Sequence, residues 1–215
     1  DILRDRGLSA SLVSLMLVSA IMMTTLVVGP FYLSEALGLR PEQTGLVMSL
    51  GPAVVAVCGL PAGRLVDRLG SSKVMLFGLL GVLLGAMLMT ILPVLFGTVG
   101  YIGGLVFITA GYALFQAANN TGIMAGAAGE QKGVISALLG LSRNLGLITG
   151  ASAMGAVYSF GSRGLAIVNL APGSTSGFQI SFALAVALAT GALVLVSWAT
   201  KAPNLSRILL DHGHD

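Results

Sequence analysis

Between residues 74 and 129 the chain carries no charged residue. A helix rises about 1.5 Å per residue, so about 20 residues cross a hydrocarbon core about 30 Å thick. The interval is too long for one crossing and too apolar for a water-facing surface. Within it, "LPVLFGTVGYIGG" at residues 92–104 joins Pro93 to several glycines and is the best turn. Splitting there predicts one span near 74–92 and another near 101–124. The same criterion places spans near 10–33, 43–62, 134–160 and 177–199, the run at 134–160 being interrupted only by Arg143. Hydrophobic residues make up 55% of the chain and charged residues 9%, where a soluble domain has about 25% charged. The expected fold is therefore all-α and integral to the membrane. It is a six-transmembrane-helix bundle over residues 10–199, with a lead-in at 1–9 and a tail at 200–215. The apolar runs are too continuous for the in-out alternation of barrel strands.

Charge then orients the chain. Arg4, Arg6, Arg64, Arg68, Lys73, Lys132, Lys201 and Arg207 fall on the side of the N-terminus, against Arg40 and Arg163 on the other. The positive-inside rule puts both termini in the cytoplasm of a cell (plasma) membrane. A net charge of +3 spread over short loops does not form the basic face that nucleic acid requires. The single cysteine, Cys58, excludes an internal disulfide. The chain begins with Asp rather than Met, and its first apolar run is too long for a signal-peptide core, so it reads as a fragment of a longer protein.

One stretch concentrates charge: "GRLVDRLGSSK", residues 63–73, on the cytoplasmic side between the second and third spans. Gly63 and Gly70 permit a tight turn and close helix approach. Asp67, near the start of the third span, suits a helix N-terminus, where an anion is stabilised by about 0.3–1 kcal/mol. Gly63, Leu65, Asp67, Arg68, Gly70 and Lys73 resemble the G-x-L-x-D-R-x-G-x-x-K loop of the major facilitator superfamily, found between the second and third helices of each six-helix half. Ser71 and Ser72 depart from it, standing where the family usually carries basic residues. Residues 31–70 and 132–159 resemble the C-terminal half of the fourteen-span drug/proton antiporters, and the G-x-x-x-G-P-x-x-G-G motif of the N-terminal half is missing from the fifth span. The resemblance covers about residues 8–199. It implies one half of a major facilitator fold, partnered by an N-terminal six-helix half or a second copy, that exports small amphipathic compounds or drugs across the lipid bilayer by alternating access in exchange for protons; the other reading the sequence leaves open is a non-transporting membrane scaffold or truncated remnant. It also implies a conformational-switch role for Gly63, Asp67, Arg68, Gly70 and Lys73, with the Asp-Arg pair latching the two halves on the cytoplasmic face in one access state.

Polar residues inside the bilayer are the remaining candidates. Arg143 is the only ionisable group within a span, at a cost of at least ~2.5–3.5 kcal/mol for a helix centre. It either faces a pathway or snorkels to the cytoplasmic boundary. Gln116, Asn119 and Asn120 are spaced three and four apart and share one face of the fourth span, at the depth of Arg143. That face either lines a substrate pathway or joins helices by amide hydrogen bonds. Gly78, Gly81 and Gly85 on the third span, and Gly146, Gly150 and Gly155 on the fifth, form packing seams. Pro52 bends the second span. Tyr112, Phe115 and the methionines are apolar contacts for a substrate or for packing. No carboxylate lies in mid-membrane: Glu35 and Glu42 flank a short outer loop, and a proton-coupled antiporter needs such a group in its pathway. His212 and His214 lack the further ligands of a metal site. No nucleophile triad, phosphate loop or other enzymatic constellation occurs, and neither a cofactor nor a metal is expected.

Overall fold

The computed structural model describes residues 6–127, 129–164 and 174–201. Arg4 and Asp5 of the lead-in, and the tail beyond Lys201 with Arg207, Asp211, His212 and His214, lie outside the described residues. Five helices order the chain: α1 (Arg6–Phe31), α2 (Pro41–Leu69), α3 (Ser71–Ala125), α4 (Lys132–Gly164) and α5 (Ser174–Lys201). All five are long and apolar enough to cross a membrane. Lipid offers no partner for an exposed amide, and a helix satisfies its own.

Six helices were expected from the sequence, and the difference lies in α3. A straight helix of its 55 residues would be about 80 Å long, far beyond the membrane core. Instead the chain turns at Gly97, whose φ of 55° and ψ of −131° are non-helical. A positive φ is cheap for glycine alone. The arms at 71–96 and 98–125 then lie antiparallel. Gly78 abuts the backbone of Phe115, Gly81 that of Gly111 and Gly85 that of Ile108, so contacts advance along one arm as they retreat along the other. The non-helical backbone at Gly97 kinks α3 into two helical arms that follow each other without a loop, where two separate spans were expected.

Small residues set the other seams as well. Gly146 on α4 meets the carbonyl of Met16 and the side chain of Ser19 on α1, and Gly150 meets the backbone of Ala20. Gly161 and Gly177, which no spacing pattern singles out, close α4 on α5: a Cβ at Gly161 would lie 2.9 Å from the Cα of Gly177. Gly155 is looser, with Val27 at 3.7 Å. Without a hydrophobic force between helices in lipid, such close backbone approach supplies the van der Waals contact that holds the bundle. Tyr32, Tyr101, Phe178 and Phe182 form a buried aromatic cluster, the Tyr32 and Phe178 rings stacking at 4.0 Å.

Two local features position the candidate groups. Pro30 interrupts the end of α1, and the helix widens into a π-turn at Tyr32–Ala36, closed by the Leu37 amide donating to the Tyr32 carbonyl at 3.2 Å. Gly38 (φ 65°) then carries the chain into α2, where the Arg40 amide donates to Gln43 Oε1 at 3.1 Å and Pro41 takes the first helical position. At the other end, α2 does not stop at Ala62. It continues through Arg64, Asp67 and Arg68 to Leu69, leaving Gly70 (φ 84°) as the single residue between α2 and α3.

Candidate functional site

The switch residues therefore lie on helix ends rather than in a loop. Arg64, Asp67 and Arg68 are spaced three and four apart on the last turns of α2, all exposed, and Lys73 is exposed in the first turn of α3. Asp67 has neither an ion pair nor a hydrogen bond among the described residues, and no side chain caps α3. A Cβ at Gly63 would meet nothing within 4 Å, and the same holds at Gly70, so neither glycine makes a close approach within this chain. What the arrangement offers is a charged, unpartnered edge on the end of α2.

The three amides on the second arm of α3 separate. Asn119 is 1% exposed and turns into the bundle, whereas Gln116 and Asn120 remain half-buried on its other side. Neither Asn119 Oδ1 nor Asn119 Nδ2 has a partner. Asn119 lines a cavity of roughly 720 Å³ at the bundle end that carries Gly70. Arg143 is half-buried on α4 and lies within electrostatic reach of Tyr112, one helical turn from Gln116. Neither Tyr112 nor Arg143 is among the residues lining the cavity that Asn119 lines. Phe115 is fully buried with its backbone against Gly78, a packing position rather than a contact surface.

Because its two amide groups go unpaired, Asn119 costs stability in the ligand-free protein, about 1–3 kcal/mol for a buried unsatisfied group. Asn119→Leu, of similar volume and next to the Val66, Val74 and Ala118 cluster, is expected to unfold at an equal or higher temperature than the parent in detergent. A midpoint lowered by several degrees would show that the amide is paired in solution.

One polar link has no counterpart among the sequence motifs. Tyr158 on α4 donates its hydroxyl to Glu35 Oε2 at 3.1 Å, and Phe31 stacks on the same ring at 5.7 Å. Glu35 sits in the π-turn, an element that often marks functional sites. The two residues are 123 positions apart, so no spacing pattern joins them. The only sequence signal is Pro30, which forces the end of α1 to deviate. Among the described residues no group of histidine, cysteine and carboxylate side chains is placed to hold a metal.

A sequence profile described as Major Facilitator Superfamily matches residues 12–208. The chain is 31% identical over 152 residues to the uncharacterized transporter YebQ of Escherichia coli, covering 71% of this chain and 33% of that protein. It is 25% identical over 128 residues to the multidrug efflux pump LfrA of Mycolicibacterium smegmatis, covering 60% of this chain and 25% of the pump. It is 26% identical over 121 residues to the riboflavin transporter RibZ of Clostridioides difficile, covering 56% of this chain and 26% of that protein. The matched stretch spans a third or less of the length of each of these relatives.

Proposed function

The chain belongs to the Major Facilitator Superfamily, and from that membership we propose that it is the C-terminal six-helix half of a secondary transporter that exports small amphipathic compounds by alternating access. It is an integral membrane protein. The two arms of α3 act as separate crossings, which makes six and brings both termini to the cytoplasmic side. A multidrug efflux pump and a riboflavin transporter among the relatives support a small-molecule cargo. Exchange for protons rests on the resemblance to drug antiporters.

The observation that carries this reading is the uneven burial of the helices. Only 17% of the apolar stretch of α2 and 22% of that of α4 is buried, against 61% for α1. Gly45, Gly59 and Gly63 on α2, and Gly133 and Gly140 on α4, have open space where a side chain would be. Glycines that pack against nothing within the chain suit close approach by helices from outside it. We assign these faces to the partner half, with Tyr112, Gln116, Asn120 and Arg143 beside a pathway between the halves. A second copy of this chain is the other occupant that fits the same faces.

The test is dye efflux from cells carrying the full gene product. Accumulation of a fluorescent amphipathic dye is expected to fall relative to cells lacking it, and the difference to vanish when a protonophore collapses the proton gradient. Equal accumulation across a broad panel of dyes refutes export; efflux that survives the protonophore refutes proton coupling alone.

A further inference from the structure

Tyr112, Gln116, Asn120 and Arg143 are not among the residues that line the cavity beside Asn119, and its lining has a distinct chemistry. Ser71 and Ser72 form its wall where α3 begins, with Gly70 at the cap position and no side chain satisfying the first amides. A helix start leaves its first amide N–H groups without intrahelical partners and carries roughly half a positive charge. The antiparallel arms bring Gly122 against the Ser71 side chain, where a Cβ would lie 3.0 Å from Ser71 Oγ. Asn119, almost one turn before Gly122, is thereby held just inside the helix start. Its amide is 1% exposed and unpartnered at both atoms. Among the described residues no acidic side chain lines the cavity; Lys73 and Lys132 directly follow the lining residues Ser72 and Gln131, and Glu130 directly precedes Gln131.

We propose that this cavity binds a phosphate group that carries an adjacent hydrogen-bond donor, as in a phospholipid headgroup or a free hydrogen phosphate. The phosphate oxygens accept from the first amides of α3 and from Asn119 Nδ2. The neighbouring hydroxyl or ammonium donates to Asn119 Oδ1. Both orphaned atoms are then satisfied by one ligand, which an inert packing role for Asn119 does not achieve. Gly126, one turn beyond Gly122, brings the C-terminal end of the second arm to the cavity as well. Its carbonyls repel phosphate oxygens, so the anion sits on the Ser71 side. Leu8, Met75, Ile123 and Val196 line the remainder. A volume of roughly 720 Å³ exceeds a bare phosphate and leaves these apolar walls for the first carbons of a lipid chain. The site does not depend on the direction of transport.

The test uses the purified full chain in an uncharged detergent, free of phosphate buffer. Binding of dihexanoyl phosphatidylglycerol is followed by native mass spectrometry, and of inorganic phosphate by equilibrium dialysis. Asn119→Leu removes both amide groups. Ser72→Asp sets a carboxylate at the helix start, where it favours the fold and competes with the anion. Each is expected to weaken binding about tenfold or more, as loss of a hydrogen bond to a charged group does. Ser34→Asp, which adds the same charge at the exposed opposite end, is expected to bind as the parent does. Melting curves confirm that each variant is folded. Binding of inorganic phosphate identifies a free-anion site, and binding of the phospholipid alone identifies a headgroup site; either supports the proposal when the two cavity variants lose it. Equal binding by uncharged dihexanoylglycerol, undiminished binding in both cavity variants, or no binding of either probe overturns it.

Discussion

Gly85→Val is expected to remove the protein from the folded membrane fraction. A Cβ at Gly85 would lie 2.5 Å from both the Cα and the backbone nitrogen of Ile108. Those atoms belong to a helix and cannot rotate away as a side-chain end can, so the two arms of α3 must part. Overpacking costs about 1–3 kcal/mol where side chains can adjust. Here a backbone must move and the Gly78 and Gly81 contacts separate with it, so the loss approaches the whole of a typical stability of about 5–15 kcal/mol. Gly150→Val is expected to behave alike, since its Cβ would lie 2.6 Å from the Cα of Ala20 on α1. Gly191→Val on α5, with nothing within 4 Å, is the contrasting case and should express as the parent does. Size-exclusion profiles of detergent extracts distinguish them. A symmetrical Gly85→Val peak with an unchanged melting temperature would show that the arms are not in contact.

These contacts mark how far the sequence reaches. Lengths of uncharged chain locate bilayer crossings because hydropathy reports the solvent around a segment, and the folding back of residues 74–129 follows from that alone. Hydropathy says little about where a helix ends. Arg64, Asp67 and Arg68 leave the apolar region yet continue α2, since charged residues tolerate a helix as well as they tolerate a turn. Stretches read as loops were therefore helix ends. The spacing of Gln116, Asn119 and Asn120 puts all three within one arc, but Asn119 and Asn120 still differ by about 100° around the axis. That angle suffices to send Asn119 into the bundle and leave Asn120 half-exposed, and only the neighbouring helices decide which. Glycines present the same difficulty. Gly78 and Gly63 look equivalent in sequence, yet one touches backbone and the other touches nothing. The link from Glu35 to Tyr158 was illegible because it depends on a π-turn that shifts the register at the end of α1.

Asp67→Asn is expected to reduce transport by about ten- to a hundredfold in proteoliposomes of the full gene product, with expression and melting temperature unchanged. The exposed carboxylate occupies the last turn of α2, where the helix dipole disfavours an anion. Removing its charge therefore does not harm the fold of this chain. Arg64 and Arg68, three residues before it and one after, offset part of that penalty without bonding it among the described residues. An acid held in an unfavourable position within its own helix is suited to a partner elsewhere, and α2 is the face assigned to the other half. A hydrogen bond to a charged group contributes about 1.5–3 kcal/mol, which is the source of the expected factor. Asparagine keeps the shape of the side chain, so the comparison isolates charge. Asp67→Glu, which restores the carboxylate one methylene further out, should recover part of the rate. Unchanged transport in Asp67→Asn would remove the latch between halves, and a parallel fall in melting temperature would reassign Asp67 to holding the α2–α3 turn.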